Sequence, residues 1–371
     1  MSRRLRVGVI GCGMIAQIMH LHHLAELGEK FEIAALCDLD RRLAEACAQR
    51  YRVPKVFTEW PDLVAEGLDA VMVLTSGSHA PAAIAACRAG SHVFVEKPMC
   101  LSVAEGRAMV AAADAASVCL MVGTMKRYDP AYQRLLELLP DAGDVRLVRV
   151  TTLESPYEPY VSHYPLLRGD GPPKDVIDRL RAAEAQLLVD LLPGADENTR
   201  YCYRWMLLDN LVHELNMLRG ALGEPDRINF ARLDRNVVEL SLRFGGTECH
   251  LSWVDLPGMA RYSQELVFYG LDKRLTLALP SPYLRNMPTE LRVETGIPGS
   301  PDSSEEVEVI SYEEAFKREL VELHDAIVTG RSPRTDARDG LRDVALCQAI
   351  ALSHMNGAPA VLEREISPAA R

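Results

Sequence analysis

Several things are scarce in this 371-residue sequence. Aromatic residues make up only 6% of it, too few for the base-stacking surfaces of single-strand nucleic-acid binders. Its nine cysteines are odd in number, scattered and without a CxxC pair. That excludes a disulfide framework and a zinc cluster of recognisable spacing; the cysteines read as small buried hydrophobes in a reducing compartment. No apolar run approaches the ~20 residues of a membrane span. A basic balance is missing too. Lys and Arg total 41 against 52 Asp and Glu, a net charge of -11, which repels phosphate backbones and anionic membrane surfaces. Nucleic acid and membrane are therefore not expected partners. Residues 1–6 are basic and 7–19 mostly apolar, as in a signal peptide, but Gly8, Gly11 and Gly13 break the run and His20, His22 and His23 follow it. No small-residue cleavage pattern stands clear, and the expected location is the cytoplasm.

What is present is an ordinary globular composition, 48% hydrophobic and 25% charged. At roughly 150 residues per domain the length suggests two domains, each able to bury a core. The first third alternates short apolar strands (6–10, 31–37, 70–74, 92–95, 118–122) with helical stretches (14–27, 40–50, 80–89). A Ser102-x-x-Glu105 capping box opens a further helix. This rhythm predicts βαβ units and a parallel sheet buried on both faces. After a helix at 131–139 the style changes. Strands at 145–153, 227–233, 237–244, 247–254, 265–269 and 274–279 are mostly joined by short turns, which predicts an antiparallel sheet. A helix at 172–192 interrupts, and helices at 312–329 and 339–356 close the chain. The expected domains are 1–124 and 125–371.

The sequence Gly11-Cys12-Gly13-Met14-Ile15-Ala16 is G-x-G-x-x-A, directly after a strand and opening a helix. Gly11 permits the tight turn, Gly13 lets backbone approach a pyrophosphate, and Ala16 keeps helix and strand close. The helix N-terminus at Met14 and Ile15 offers N–H groups and positive dipole to the phosphates. Asp38, at the end of the second strand, lies about two dozen residues after Gly13, slightly past the ~20 expected. Its carboxylate suits a ribose 2′-hydroxyl, which favours NAD; Arg41 and Arg42 next to it keep NADP open. Glu96-Lys97-Pro98 ends another strand, where ligands of open α/β sheets sit.

These motifs, with Thr75-Ser76-Gly77-Ser78-His79, the run from Val122 to Pro130, Asp209 to His213 and Gly223-Glu224-Pro225, occur in the order and spacing of one family. The chain resembles the glucose–fructose oxidoreductase / inositol dehydrogenase / rhizopine-catabolism (Gfo/Idh/MocA) oxidoreductases over nearly its whole length, with 155–205 the least matched. The resemblance implies an α/β plus α+β chain: an N-terminal Rossmann parallel sheet and a C-terminal open, mainly antiparallel sheet. The exposed face of that second sheet often mediates oligomers, here a homodimer or homotetramer. It implies cofactor contacts from Gly11, Gly13, Met14, Ile15 and Asp38, and further ones from Thr75, Ser76, His79, Glu96 and Lys97. It also implies Lys97, Asp209 and His213 as the catalytic set. The chemistry agrees, because oxidising a secondary alcohol needs a base for the hydroxyl proton, and an imidazole suits. Asp209 and His213, spaced i, i+4, share one face of a helix.

Three departures stand out. Asn216 occupies a position where the family has aspartate. Thr75-Ser76-Gly77 replaces Thr-Pro-Asn. The stretch 157–204 is longer than usual, which suggests a lid or an oligomer contact that selects substrate. Tyr157, Tyr160, His163 and Tyr164 are candidate walls for a sugar-like ligand, and Arg127, Tyr128 and Asn210 further substrate contacts. No metal is expected: of His20, His22 and His23 only His20 and His23 share a helix face, with no Cys or carboxylate nearby to complete a site. The expected function is an NAD(P)-dependent dehydrogenase acting on a ring hydroxyl of a cyclic polyol, sugar or glycoside. The alternatives are an NAD-retaining glycoside hydrolase and a nucleotide sensor.

Overall fold

Strand β1 (Leu5–Ile10) buries Leu5, Val7 and Val9 completely, and β4 (Ala70–Val73) exposes none of its four residues. Such strands need cover on both faces, and the computed structural model, which describes residues 3–362, supplies it. The chain forms two compact units. The first gathers the chain up to Met125 with Tyr164–Pro193 and Phe316–Ala345; the second gathers Lys126–His163, Gly194–Ala315 and the chain from Leu346.

The first unit holds β1, β2 (Phe31–Cys37), β3 (Lys55–Phe57), β4, β5 (His92–Glu96) and β6 (Leu120–Gly123). They form one all-parallel sheet in the order β3-β2-β1-β4-β5-β6. The order reverses between β1 and β4, the switch point where α/β sheets bind ligands. The expected 14–27 helix is π-helical over Ala16–His20 before α1 (Leu21–Glu26). α2 (Arg41–Tyr51) is capped by Asp40, which accepts the Leu43 N–H at 3.1 Å. α3 (Ala80–Arg88) ends before Gly90, whose N–H reaches the Cys87 carbonyl. In the capping box of α4 (Val103–Ala116), Ser102 Oγ accepts the Glu105 N–H, and the Glu105 carboxylate accepts the Leu101 N–H. The later segment contributes α5 (Lys174–Leu191), which buries only Leu188.

The second unit is a nine-stranded sheet. Its strands are β7 (Leu147–Glu154), β8 (Arg227–Leu233), β9 (Val237–Phe244), β10 (Thr247–Asp255), β11 (Ser263–Tyr269), β12 (Lys273–Leu279), β13 (Glu290–Gly296), β14 (Ser303–Val309) and β15 (Ala360–Val361). The order is β14-β13-β12-β11-β7-β10-β9-β8-β15. Two features correct the sequence reading. β7 pairs with β10 in parallel along Glu248–Asp255, because a long excursion, not a hairpin, separates them. β13 and β14 were not expected as strands; they extend the sheet at one edge. α6 (Val212–Leu222) packs its buried side within this unit. α7 (Ala315–Thr329) and α8 (Ala337–Asn356) follow. Among the described residues no helix is long and apolar enough to cross a membrane, and none of the nine cysteines is in a disulfide; eight of them are buried.

Candidate active site

The glycine-rich turn sits at the carboxyl end of β1. Gly11 has φ +99°, and a Cβ there would fall 2.9 Å from the Leu74 carbonyl carbon, so only glycine fits. Gly13 is exposed, and a Cβ on it would meet nothing within 4 Å, the room a pyrophosphate requires. Met14 and Ile15 open the following helix partly exposed. The Asp38 carboxylate is fastened to this turn, accepting the Cys12 N–H at 2.8 Å with one oxygen and the Asp40 N–H at 2.9 Å with the other. A carboxylate has about four lone-pair sites, so acceptor capacity remains for ribose hydroxyls. The two neighbouring arginines carry carboxylate partners, Arg41 with Glu45 and Arg42 with Asp170. This donor and acceptor set fits a dinucleotide.

Thr75 and Ser76 follow β4 as exposed residues. His79 is 1% exposed instead, and its ring spans the carbonyl oxygens of Thr75 at 2.6 Å and Pro98 at 2.8 Å, bracing one loop against the next. Glu96, at the end of β5, is buried. One carboxylate oxygen takes a 2.6 Å hydrogen bond from His20 Nε2, and the other accepts the Lys97 backbone N–H at 3.0 Å. Burial opposes its ionisation, but the His20 bond and charge, with Lys97 next to it, hold the carboxyl below the usual range. Lys97 is half-buried at the carboxyl edge of the sheet, and its bond to Pro98 is cis.

Residues 164–193 pack against this edge. The Gln17 side-chain amide donates to the Leu167 carbonyl at 3.2 Å and accepts the Leu167 N–H at 2.8 Å. The Gly171 N–H donates to the Asp40 carboxylate. A Cβ on Gly169 would lie within 2.4 Å of that carboxylate, so the approach depends on glycine. Glu184 of α5 lies beside Gly77. Residues 164–193 thus lie against the segments that follow β1, β2 and β4.

In the second unit, Asp209 lies in a π-helical segment, Cys202–Leu211, that runs into α6. The Val212 N–H reaches back five residues to the Leu207 carbonyl, so the α-helical face expected of Asp209 and His213 is not the geometry present. Asp209, Asn210 and His213 are nevertheless partly exposed along a largely buried stretch. The Asn210 side-chain amide donates to the Trp205 carbonyl. Arg127 donates to both the side-chain and backbone oxygens of Asn216, the position where aspartate was expected. Tyr128 is buried and His163 exposed. Tyr157 packs against Tyr283 with ring centroids 5.9 Å apart, and Tyr160 Oη accepts the Tyr262 N–H at 2.7 Å.

Sequence reasoning missed Glu154, Tyr262 and Tyr283. Burial, then the charges of Glu154 and Asp209, raise the Tyr283 phenol; burial, then Glu214 and Glu154, raise that of Tyr262. Beneath them Lys126 donates to Gln264 and Gln264 to Glu214, which also accepts from Thr152 Oγ1 at 2.7 Å. The available signal was Gln264, a polar residue at a core-facing position of β11. The histidine reading also needs correction. Glu26 bonds His23 at 3.0 Å and pairs with His22 at 3.3 Å, while Glu96 and Glu319 lie by His20, so carboxylates do stand near all three.

Residues 5–124 match the sequence model of the Gfo/Idh/MocA family, an oxidoreductase family with an NAD-binding Rossmann fold. The match covers about a third of the chain. The Gfo/Idh/MocA segment ends one residue before the first stretch of the first unit does. Over 145 residues, 38% of the chain, the sequence is 30% identical to inositol 2-dehydrogenase of Salmonella typhimurium, and the match spans 43% of that relative's length. Over 352 residues, 93% of the chain, it is 27% identical to inositol 2-dehydrogenase 3 of Saccharopolyspora erythraea, spanning 91% of that protein. Levoglucosan dehydrogenase in complex with NADH shares the fold, with a TM-score of 0.75 at 18% identity over 98% of this chain and 100% of that one.

Proposed function

We propose that the chain is an NAD-dependent dehydrogenase that oxidises a secondary ring hydroxyl of a cyclic polyol, sugar or glycoside, or reduces the matching ketone. The observation that carries this reading lies in the first unit. Lys97 follows β5 on the same carboxyl edge where Gly11, Asp38 and Thr75 follow β1, β2 and β4. A nucleotide-cradling turn and a half-buried amine on one sheet edge suit alcohol oxidation at a bound nicotinamide. A dinucleotide held by Gly11, Gly13 and Asp38 would supply the nicotinamide as hydride acceptor for the carbinol carbon. Lys97 holds the hydroxyl oxygen and favours its alkoxide character. His213 takes the hydroxyl proton, and Asp209 orients His213. Asp38, with both neighbouring arginines paired to carboxylates, favours NAD over NADP. The exposed Tyr157 beside Tyr283, on whose phenol the charge of Asp209 acts, supports a polyhydroxylated ring as substrate: rings offer the sugar a flat apolar wall and carboxylates accept its hydroxyls. The inositol and levoglucosan dehydrogenases above act on molecules of that class by name.

The experiment is the growth of reduced-nicotinamide absorbance with NAD and, separately, NADP across inositols, free sugars and aryl glycosides. Turnover of one class with NAD is expected. Absence of turnover on every member, together with no nucleotide binding, overturns the reading. The hydrogen bonds of residues 164–193 to Gln17 and Asp40 favour a second one, in which NAD is retained and a glycosidic bond is cleaved through transient oxidation. NAD copurifying with the protein, with no net turnover of added NAD, selects it.

A further inference from the structure

Under the sheet edge that carries Lys97 lies a closed cluster of three ionisable side chains: His20 from the π-helical turn, Glu96 from β5 and Glu319 from α7. Their nearest ligand atoms all lie within 4.8 Å of one another, and none of the three residues is exposed. The rings of Phe94 and Phe316 close over His20 edge-on, at 5.4 and 5.6 Å between centroids. Neither carboxyl oxygen of Glu319 has a hydrogen-bond partner. Glu319 lies on the apolar side of α7, whose neighbours Phe316, Leu320 and Leu323 are buried as well.

Two carboxylates this close in an apolar setting cannot both ionise, because each charge penalises the other and burial penalises both. The arrangement decides which one keeps its charge. Glu96 is hydrogen-bonded to His20 and to the Lys97 N–H, which favour its anion; Glu319 lies within 4.8 Å of His20 too but makes no hydrogen bond to it, and the charge of Glu96 opposes its ionisation. Burial, then the charge of Glu96, holds the Glu319 carboxyl well above the ordinary range. A metal ion is the other way to satisfy such a cluster. Zinc bonds of about 2.1 Å set tetrahedral ligand atoms about 3.4 Å apart, whereas His20 Nε2 and Glu96 Oε1 are already in direct hydrogen-bond contact at 2.6 Å.

We propose that Glu96 and Glu319 hold one buried proton between them, with Glu319 the neutral acid, and that the cluster positions Lys97. The anionic Glu96 is clamped by His20 on one side and binds the Lys97 backbone N–H on the other. Glu319 fills the space behind it without adding a second charge. Glu319 is thus a positioning residue for Lys97, a role that rests on the dehydrogenase reading above.

The test is the infrared spectrum of the full chain at neutral pH, parent against Glu319→Gln, with kcat and the Kd for NADH measured on Glu319→Leu and Glu319→Gln. A carbonyl band of a protonated carboxylic acid is expected in the parent and missing in Glu319→Gln. Glu319→Leu is expected to lower kcat roughly tenfold or more, against the ~100-fold that a misplacement of about 1 Å can cost. NADH affinity changes less than about twofold, and the neutral, isosteric Gln restores most of kcat. No such band at neutral pH overturns the shared proton, as does a band that survives Glu319→Gln. Stoichiometric metal in the parent that is lost in Glu319→Gln also overturns it. Parental kcat in Glu319→Leu overturns the positioning role. If Glu319→Leu does not fold, the band in the parent and Glu319→Gln still decides the proton. A parent inactive on every substrate refutes the dehydrogenase reading and the positioning role with it, while the band still decides the shared proton independently.

Discussion

The Asp38 carboxylate accepts the backbone N–H of Cys12 at 2.8 Å, so the acid ending β2 is tied to the middle of the glycine-rich turn after β1. One side chain therefore shapes the cradle and presents acceptor oxygens to whatever ribose lies over it. Asp38→Ala removes both contributions. Its loss is expected to weaken NADH binding by about 10- to 100-fold, from the ~1.5–3 kcal/mol of hydrogen bonds to a charged group. NADPH binding weakens less, because repulsion of a 2′-phosphate goes too, so the ratio of the two dissociation constants narrows. Fluorescence titration with both nucleotides reads this directly, and an unchanged ratio rules out the ribose role.

Lys97 is joined to the cradle through Glu96 but follows a different strand, so its substitution separates chemistry from cofactor binding. Lys97→Ala is expected to lower kcat by about 100- to 1,000-fold, the cost of losing one donor to a developing oxyanion. The Kd for NADH is expected to stay within a few-fold of the parent. Steady-state rates and nucleotide titration on the same preparation check this; equal losses in both remove Lys97 from the reacting atoms.

Much of the first unit was legible because its signals are local. Buried apolar strands, the Asp40 cap and the Ser102–Glu105 box all report their own neighbourhood. What was not legible depends on distance. β14 reads Ser-Ser-Glu-Glu-Val-Glu-Val and is almost wholly exposed, so no apolar alternation marked it as a strand. The parallel pairing of β7 with β10 follows from the path of the chain, which no period of two can encode. The fastening of residues 164–193 to the cradle uses the backbones of Leu167 and Gly171, which leave no trace in residue type. Lys97, Asp209 and His213 were candidates by motif resemblance alone, whereas in the second unit Glu154, Tyr262 and Tyr283 come from loops and strand ends far apart in sequence. Glu319 had a signal, an acid on the apolar face of α7 beside Phe316, Leu320 and Leu323, but its partners His20 and Glu96 are about 300 and 220 residues away.

The paired hydrogen bonds between Gln17 and Leu167 make residues 164–193 a cover whose grip is adjustable by one side chain. Gln17→Ala removes both bonds, and with them the 2.9 Å bond from the same amide to the Cys12 carbonyl, so the NADH dissociation constant is measured alongside to register any change in the turn itself. If the segment slows nucleotide exchange, two neutral hydrogen bonds at about 1 kcal/mol each correspond to an increase in NADH dissociation rate of roughly 5- to 30-fold. Stopped-flow displacement of bound NADH measures it. A dissociation rate equal to that of the parent removes the segment from control of cofactor exchange.

Glu322 on α7 receives two hydrogen bonds from the Arg331 guanidinium, at 2.8 and 2.7 Å, and a third from the Arg334 N–H at 3.3 Å. The Arg331 bonds hold its carboxyl below the ordinary 4.5. A carboxyl whose folded value is depressed stabilises the protein fully above its unfolded value, and that contribution is lost as pH falls towards the folded one. Glu322→Gln is therefore expected to unfold more easily at pH 7, by about 1–3 kcal/mol for a charge-assisted pair. The deficit should shrink once the pH drops below about 4.3, where the parent's own carboxylate begins to protonate in the unfolded chain. Thermal unfolding of both proteins from pH 7 to pH 3 checks the sign. A deficit that stays constant across that range assigns the effect to packing of Glu322 and not to its charge.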